Sequence, residues 1–252
     1  MKLMTYNILN GGVGREQSIL EVISSVQPDI VVLQEVYEAA FLDNLGTALN
    51  MQPFWVNGNR KRRVPLLSHL PVLSLRSHHP AFPIWNNVIE ASVEYQPDKV
   101  LKVFGVHKKA DLAIIFEWRR WLEAGYILEL AKPHTKIPCI LTGDFNAIGP
   151  GDTVMTAQMP RRLKLTLWLQ GNRIYRSSIR RYLKAGFTDA FRLMNPTDDG
   201  FTLPTPQPNS RLDYIFVNKV LKSRIKQCWV VREPPAVEVA SDHYPVVAQF
   251  EW

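Results

Sequence analysis

The sequence predicts an α/β fold of layered sheets with helices outside, and three observations carry that prediction. Short apolar runs rich in β-branched and aromatic residues recur along the whole chain, and helical periodicities fall between them. The two kinds of segment interleave without strict alternation, which argues against a simple βαβ wind.

The strand-like runs are KLMTYNI (2–8), DIVVLQEV (29–36), VLKVFGVH (100–107), PCILTGDF (138–145), RLDYIFV (211–217) and YPVVAQFEW (244–252). Between the first two, Ile19, Val22, Ile23 and Val26 recur at helical spacing, and Pro28 ends the pattern. A longer helix is predicted over 110–131, with Leu112, Ile115, Phe116, Leu122, Ile127 and Leu130 as its inward stripe and Pro133 beyond its end. The stretch 195–209 holds four prolines and reads as a surface loop. No fixed-period repeat or low-complexity linker divides the chain, so one domain over 1–252 is expected.

With 46% hydrophobic and 21% charged residues among 252, the composition is that of a folded globular protein and excludes a disordered one. Cys139 and Cys228 are too few for a disulfide framework or a cysteine-based zinc site, and are expected as buried thiols. The opening MKLMTYNILN has no apolar stretch after a basic start, and no run approaches the roughly 20 apolar residues of a membrane span. A cytoplasmic location without integral membrane association is the expectation, as is a monomer. The formal charge of +7 attracts polyanions but names no partner by itself.

The polar residues fall in a pattern. Three apolar runs end in a residue able to bind metal or phosphate, at Asn7, at Glu35, and at Asp144 with Asn146. In RLDYIFV and SDHYPVVAQF the order reverses, with Asp213, Asp242 and His243 coming before the apolar run. Strands of the second kind, antiparallel to the first, bring all these groups to one rim. Oxygen ligands gathered there describe a site for a hard cation. Taken singly, GDFN is an ordinary turn sequence and SDH an ordinary cap.

Together, TYN at 5–7, LQE at 33–35, GDFN at 143–146, RLDYI at 211–215 and SDHYPV at 241–246 resemble the successive signatures of the endonuclease/exonuclease/phosphatase superfamily. The resemblance spans nearly the whole chain. It implies a four-layered α/β sandwich of the deoxyribonuclease I type, two mixed β-sheets face to face with helices outside. It further implies magnesium, with manganese as a substitute, on Glu35, with Asn7 and Asp242 close by. Asp144 then orients and deprotonates the attacking water, Asn146 holds water and phosphate, and His243 meets the scissile phosphate while Asp213 receives its other imidazole N–H. His107 matches a second phosphate-facing histidine, although Lys108 follows it where the family carries leucine.

The implied reaction is hydrolysis of phosphodiesters, with nucleic acid as the first substrate class. Small phosphate esters such as inositol phosphates, or phospholipids, are the alternative. Two basic stretches bear on the choice: Arg60-Lys61-Arg62-Arg63, and residues 160–184, where Arg176 and Arg180 are candidate substrate contacts among other cations, with Trp168 and Tyr175 interleaved. A solvated helical pair with its aromatics in the core is an equal reading of 160–184.

Overall fold

The computed structural model describes residues 1–56, 64–79 and 87–252, so the tract Arg60-Lys61-Arg62-Arg63 lies outside the described residues. In chain order the elements are β1 (Lys2–Asn7), α1 (Glu16–Val26), β2 (Ile30–Gln34), α2 (Ala39–Leu49), β3 (Gln52–Phe54), β4 (Leu66–Ser68), β5 (Val72–His78), β6 (Val88–Gln96), β7 (Lys99–His107) and α3 (Ile114–Ala131). They continue with β8 (Cys139–Asp144), α4 (Arg161–Leu169), α5 (Ser177–Lys184), β9 (Thr188–Asp189), α6 (Ala190–Met194), β10 (Asp213–Val217), α7 (Lys219–Lys222), β11 (Ile225–Val230), α8 (Val237–Ala240) and β12 (Val246–Phe250).

The strands form two six-stranded sheets, ordered β11-β12-β1-β2-β4-β3 and β5-β6-β7-β8-β10-β9. Alternation along each strand divides its residues between two layers. Leu3, Ile30, Val32, Ile140, Ile215 and Val217 meet in the core between the sheets. Their neighbours Met4, Val31 and Leu33 pack outward with residues of α1, α2 and α8, while Leu141, Tyr214 and Phe216 pack outward with residues of α3 and α5. Central strands buried on both faces therefore read as continuous apolar runs, which is why they were visible in the sequence. The result is the four-layered α/β sandwich.

Both sheets are mixed in the way the polar ends require. β1 runs parallel to β2 and antiparallel to β12, while β7 runs parallel to β8 and β8 antiparallel to β10. Asp144 faces His107 on one side and Asp213 on the other. At Gly143 the backbone takes φ 139°, and an added Cβ would land on the Val106 carbonyl oxygen, so the glycine before Asp144 is sterically required.

Two helical expectations need correction. In α3, Ile127 is buried as expected, but Ile115 is exposed, and Glu117, Arg120 and Glu123 occupy the buried face instead. For Glu117 the reason is a set of partners supplied from α5. Glu117 accepts from Ser177 Oγ at 2.9 Å, Ser178 N at 2.7 Å and Ser178 Oγ at 3.1 Å, while Arg120 Nε donates to Glu117 at 3.1 Å. Residues 160–184 do form two helices, α4 and α5, but Trp168 is exposed rather than in the core. The loop 195–209 is pinned by a bridge from Leu203 to Ser210 and by Thr205 N donating to Asp242 O at 2.9 Å.

Candidate active site at the sheet rim

Opposed strand directions bring Asn7, Glu35, His107, Asp144, Asn146, Asp242 and His243 around one cleft of about 310 Å³. Asp213 stands directly behind His243. β1, β2 and β12 belong to one sheet and β7, β8 and β10 to the other, so the cleft straddles both. A larger groove of about 520 Å³ between α1 and α2, lined by Leu20, Phe41 and Leu45, includes none of these groups.

Asp144 is the hub. Its Oδ2 accepts from Asn7 Nδ2 at 3.1 Å and Asn146 Nδ2 at 2.8 Å, and its Oδ1 accepts from Asn146 N at 2.9 Å. Asn146 Nδ2 also donates to the Lys108 carbonyl at 3.0 Å, which leaves its Oδ1 to accept from a bound molecule. His107 Nε2 stands between two carboxylates, 3.7 Å from Glu35 Oε1 and 3.6 Å from Asp144 Oδ2. Glu35 has φ 64° and Asn146 φ 48°, left-handed conformations that cost energy for non-glycine residues and cluster at functional sites. Glu35 Oε2 accepts from Asn10 N at 2.8 Å, and the residue lines the cleft.

His243 is held by Asp213, Nδ1 to Oδ2 at 2.8 Å, and presents Nε2 at 3.9 Å from Asp144 Oδ2. Ser241 Oγ donates to the Asn7 carbonyl at 2.6 Å and accepts from His243 N at 3.2 Å, fixing the turn that carries the histidine to β1. Burial disfavours the imidazolium, but the carboxylates of Asp213 and Asp144 outweigh it and raise the His243 pKa to about 10. For Asp144, burial dominates and pushes the carboxyl up to about 7, with His243 pulling the other way.

One stability consequence follows for the metal-free protein. A histidine with a raised folded pKa stabilises the fold fully below its unfolded value of 6.5 and loses that contribution as pH climbs through about 10. In the presence of a chelator, the advantage of the parent over Asp213→Asn is expected to shrink between neutral pH and pH 10, as read by urea unfolding. An advantage that stays constant over that range would show that the pair does not hold the proton.

Asp144, Asp213 and His243 bring ligand atoms within 4.8 Å of one another. Nδ1 of His243 is already taken by Asp213, however, so this trio suits proton handling better than metal binding. A hard cation prefers oxygen donors, and Glu35, Asn7 and Asp242 line the cleft together with Asp111, Asp144 and Asn146. Asn7 Oδ1 accepts from Leu9 N at 3.0 Å while its Nδ2 serves Asp144, so this asparagine also positions the hub carboxylate.

Over residues 4–243 the chain matches the model of the Endonuclease/Exonuclease/phosphatase family. The chain belongs to that family. Exodeoxyribonuclease III of Haemophilus influenzae is 26% identical over 275 residues, with 100% of each chain covered. A 3′ phosphatase from Neisseria bound to a product DNA hairpin superposes with a TM-score of 0.77 at 22% identity, covering 100% of both chains. An AP endonuclease from Archaeoglobus fulgidus gives 0.77 at 18% identity, again over 100% of both. As a member of the Endonuclease/Exonuclease/phosphatase family the chain is a phosphoester hydrolase.

Two of the residues singled out in the sequence as candidate substrate contacts stand off the cleft. Arg176 is not turned to the cleft, because its Nη1 donates to the carbonyls of Gly149 and Asp152 and staples the loop after GDFN. Arg180 is exposed on α5 and does not line the cleft. Arg162, by contrast, does line it, 3.7 Å from Asp111.

Two groups that sequence reasoning missed are Arg211 and Asp152. Buried Arg211 Nη2 donates to Asp152 Oδ1 and Oδ2 at 2.9 and 2.8 Å and to Asp189 Oδ2 at 2.6 Å, while Nη1 donates to Asp189 Oδ1 at 3.0 Å. Tyr214 Oη lies 3.1 Å from Asp152 Oδ2. This knot ties the loop after Asn146 to the start of β10, where Asp213 sits. The arginine of RLDYI was the available signal.

Proposed function

We propose that the chain hydrolyses phosphodiesters with magnesium or manganese, and that nucleic acid is its substrate class. The observation that carries the reading is the convergence of Asp144, Asn146 and the Asp213-held His243 opposite Glu35 in one cleft. Glu35 would hold the cation, with Asn7 and Asp242 beside it; when bound, the metal polarises a phosphoryl oxygen and offsets charge on the leaving oxygen. Asp144 aligns a water and takes its proton as the new P–O bond forms and the ester P–O bond breaks in line. Asn146 Oδ1 accepts from the same water. His243, cationic at neutral pH, donates from Nε2 to the phosphate and shares the developing charge, and Asp213 keeps its ring oriented. His107 faces the same phosphate from the second sheet.

Nucleic acid is supported by the relatives, an exodeoxyribonuclease and a phosphatase bound to a DNA hairpin. Exposed Arg161, Arg162 and Lys164 on α4 supply cations beside the cleft. A second reading, a phospholipid or another apolar phosphodiester, is favoured by one observation: Leu112, Ile148, Met159, Leu163, Leu203 and Leu212 all line the cleft.

The test is a magnesium titration of activity on plasmid DNA, single-stranded oligonucleotides, 5′-tyrosyl DNA, inositol phosphates and sphingomyelin. Metal-dependent cleavage of a DNA substrate is expected. Turnover confined to the inositol or lipid substrates would transfer the site to the second reading. Activity unaffected by chelation would remove the metal from both.

A further inference from the structure

Lys108, which follows His107 at the end of β7, is buried to 2% exposure. Taking an ammonium out of water is costly, and an aliphatic side chain would fill the same space without that cost, so the charge needs a reason. Burial holds its pKa down to about 8, with Glu123 pulling the other way. The groups that face it are Glu117, Arg120 and Glu123 from α3 and Arg181 and Tyr182 from α5. The Glu123 carboxylate is itself buried with no hydrogen-bond partner among the described residues. Burial raises its pKa, and Lys108 is the first of the charges that oppose the rise.

Three parts of Lys108 meet the GDFN turn. Its backbone N donates to Asp144 O at 2.9 Å, its carbonyl accepts from Asn146 Nδ2 at 3.0 Å, and its Nζ stands 5.1 Å from the centre of the Phe145 ring. The far end of the side chain is tied to the helices. Nζ donates to Tyr182 Oη at 2.7 Å, stands 4.7 Å from the centre of that ring and lies 3.4 Å from the Arg120 carbonyl. The Phe145 and Tyr182 rings meet edge to face at 5.4 Å. Arg120 Nη1 donates in turn to the carbonyls of Lys109 and Asp111 at 2.9 and 2.8 Å, which anchors the loop beyond Lys108 to α3. These bonds decide which end of the Asn146 amide is offered to the cleft. Nδ2 is engaged by Lys108 O and Asp144 Oδ2, so Oδ1 is the end left for a bound molecule.

We propose that Lys108 is a positioning residue for the proposed hydrolysis, its buried ammonium locking the Asp144–Asn146 turn so that the amide oxygen of Asn146 faces the attacking water. The effect on rate rests on that reading of the reaction, whereas the lock itself does not. The lock works through charge. A cation is drawn to the Phe145 ring face and makes a stronger hydrogen bond to Tyr182 Oη than a neutral amine would. Those contacts fix the Lys108 peptide, and the peptide fixes an asparagine whose φ of 48° has to be held in place. Lys108 does not line the cleft, so it acts through Asn146 and not on the substrate. Above about pH 8 the ammonium loses its proton and the lock loosens, while His243 stays cationic up to about pH 10.

The test compares the parent with two variants of the full chain. Lys108→Met with Glu123→Gln removes the ammonium together with the carboxylate it would strand, and Tyr182→Phe keeps the ring while removing the Oη that holds Nζ. The readouts are kcat and KM on a DNA oligonucleotide with magnesium between neutral pH and about pH 10, urea unfolding, and the carboxamide carbon resonance of Asn146 in the metal-free protein, assigned by its loss in Asn146→Asp. The double variant is expected to keep KM and stability but to lose about 10–10²-fold in kcat at neutral pH, the scale of a misplaced reacting group, with a smaller loss in Tyr182→Phe. The parent is expected to lose rate through about pH 8 and to show a step in the Asn146 resonance there, and the double variant to show neither. Unchanged kcat, or an Asn146 resonance that keeps its position and its step, overturns the proposal. So does a rate loss matched by an equal stability loss with the step near pH 8 intact, which is what a merely structural residue would give. If the double variant does not fold, Tyr182→Phe decides. If the parent cleaves no phosphodiester, the proposed reaction fails and the Asn146 resonance alone decides the lock.

Discussion

Glu35→Gln is expected to leave a folded protein with almost no turnover, even at saturating magnesium. The amide keeps an oxygen to accept from Asn10 N, now at 2.8 Å, so the local turn survives. What disappears is the negative charge that a hard cation requires. Asp144→Asn should be nearly as severe, a loss of about 10²–10⁴ in rate, as for a positioned acid or base. Its hydrogen bonds from Asn7 and Asn146 hold an oxygen in place, but an amide cannot take the proton of water. Single-turnover rates with circular dichroism as a folding check measure both. A Glu35→Gln protein that turns over normally at high magnesium sinks the metal assignment, and a normal Asp144→Asn protein moves the base elsewhere.

Arg211→Ala is expected to cost about 3–5 kcal/mol of stability, the range for removing one partner of a buried ion pair. The Asp152 and Asp189 carboxylates would stay buried after losing the guanidinium that bridges them, and Asp152 would keep Arg192 Nη2 at 2.9 Å as a charged partner beside the neutral donors Gly149 N and Tyr214 Oη, both at 3.1 Å. Burial alone would raise the Asp152 pKa, but Arg211 overrides it and holds the carboxyl below its ordinary 3.8. A depressed carboxylate stabilises the fold above its unfolded pKa and loses that contribution as pH falls. The deficit of the variant should therefore be largest at neutral pH and shrink in acid, as read by urea unfolding at several pH values. Arg211→Lys should recover only part of it, because an ammonium cannot span two carboxylates with a planar fork. A loss below about 1 kcal/mol, the scale of a surface pair, would mean the knot is not structural.

Much of this architecture was legible because burial on both faces and a polar strand end leave local marks. Val31, Leu33 and then Glu35 announce a buried strand that stops at a rim, and the reversed order around Asp213 and Asp242 announces strands arriving from the other direction. The sheets' outer strands left no such mark. β5 is half exposed and β3 is three residues long, so neither shows a continuous apolar run. The face of α3 was unreadable for another reason. Glu117, Arg120 and Glu123 recur at the same helical spacing as its apolar residues, and the hydrogen bonds that hold Glu117 inward come from Ser177 and Ser178, about sixty positions away. The staple made by Arg176 was illegible because its charge stands in the sequence and the carbonyls that accept from it do not.

β1–β4, β11 and β12 make one sheet while β5–β10 make the other, so the middle of the chain is a layer laid against a layer built from both ends. The contacts Asn7 to Asp144, His107 to Glu35 and His243 to Asp213 all cross that seam. The spacing of the reacting groups is therefore set by how the two layers register laterally, and Leu3, Val32, Ile140 and Ile215 between them act as a ruler. In this molecule the rate of a chemical step is also a gauge of mechanical alignment. A methyl removed deep in the core, far from any phosphate, can be read at the rim as a slower reaction.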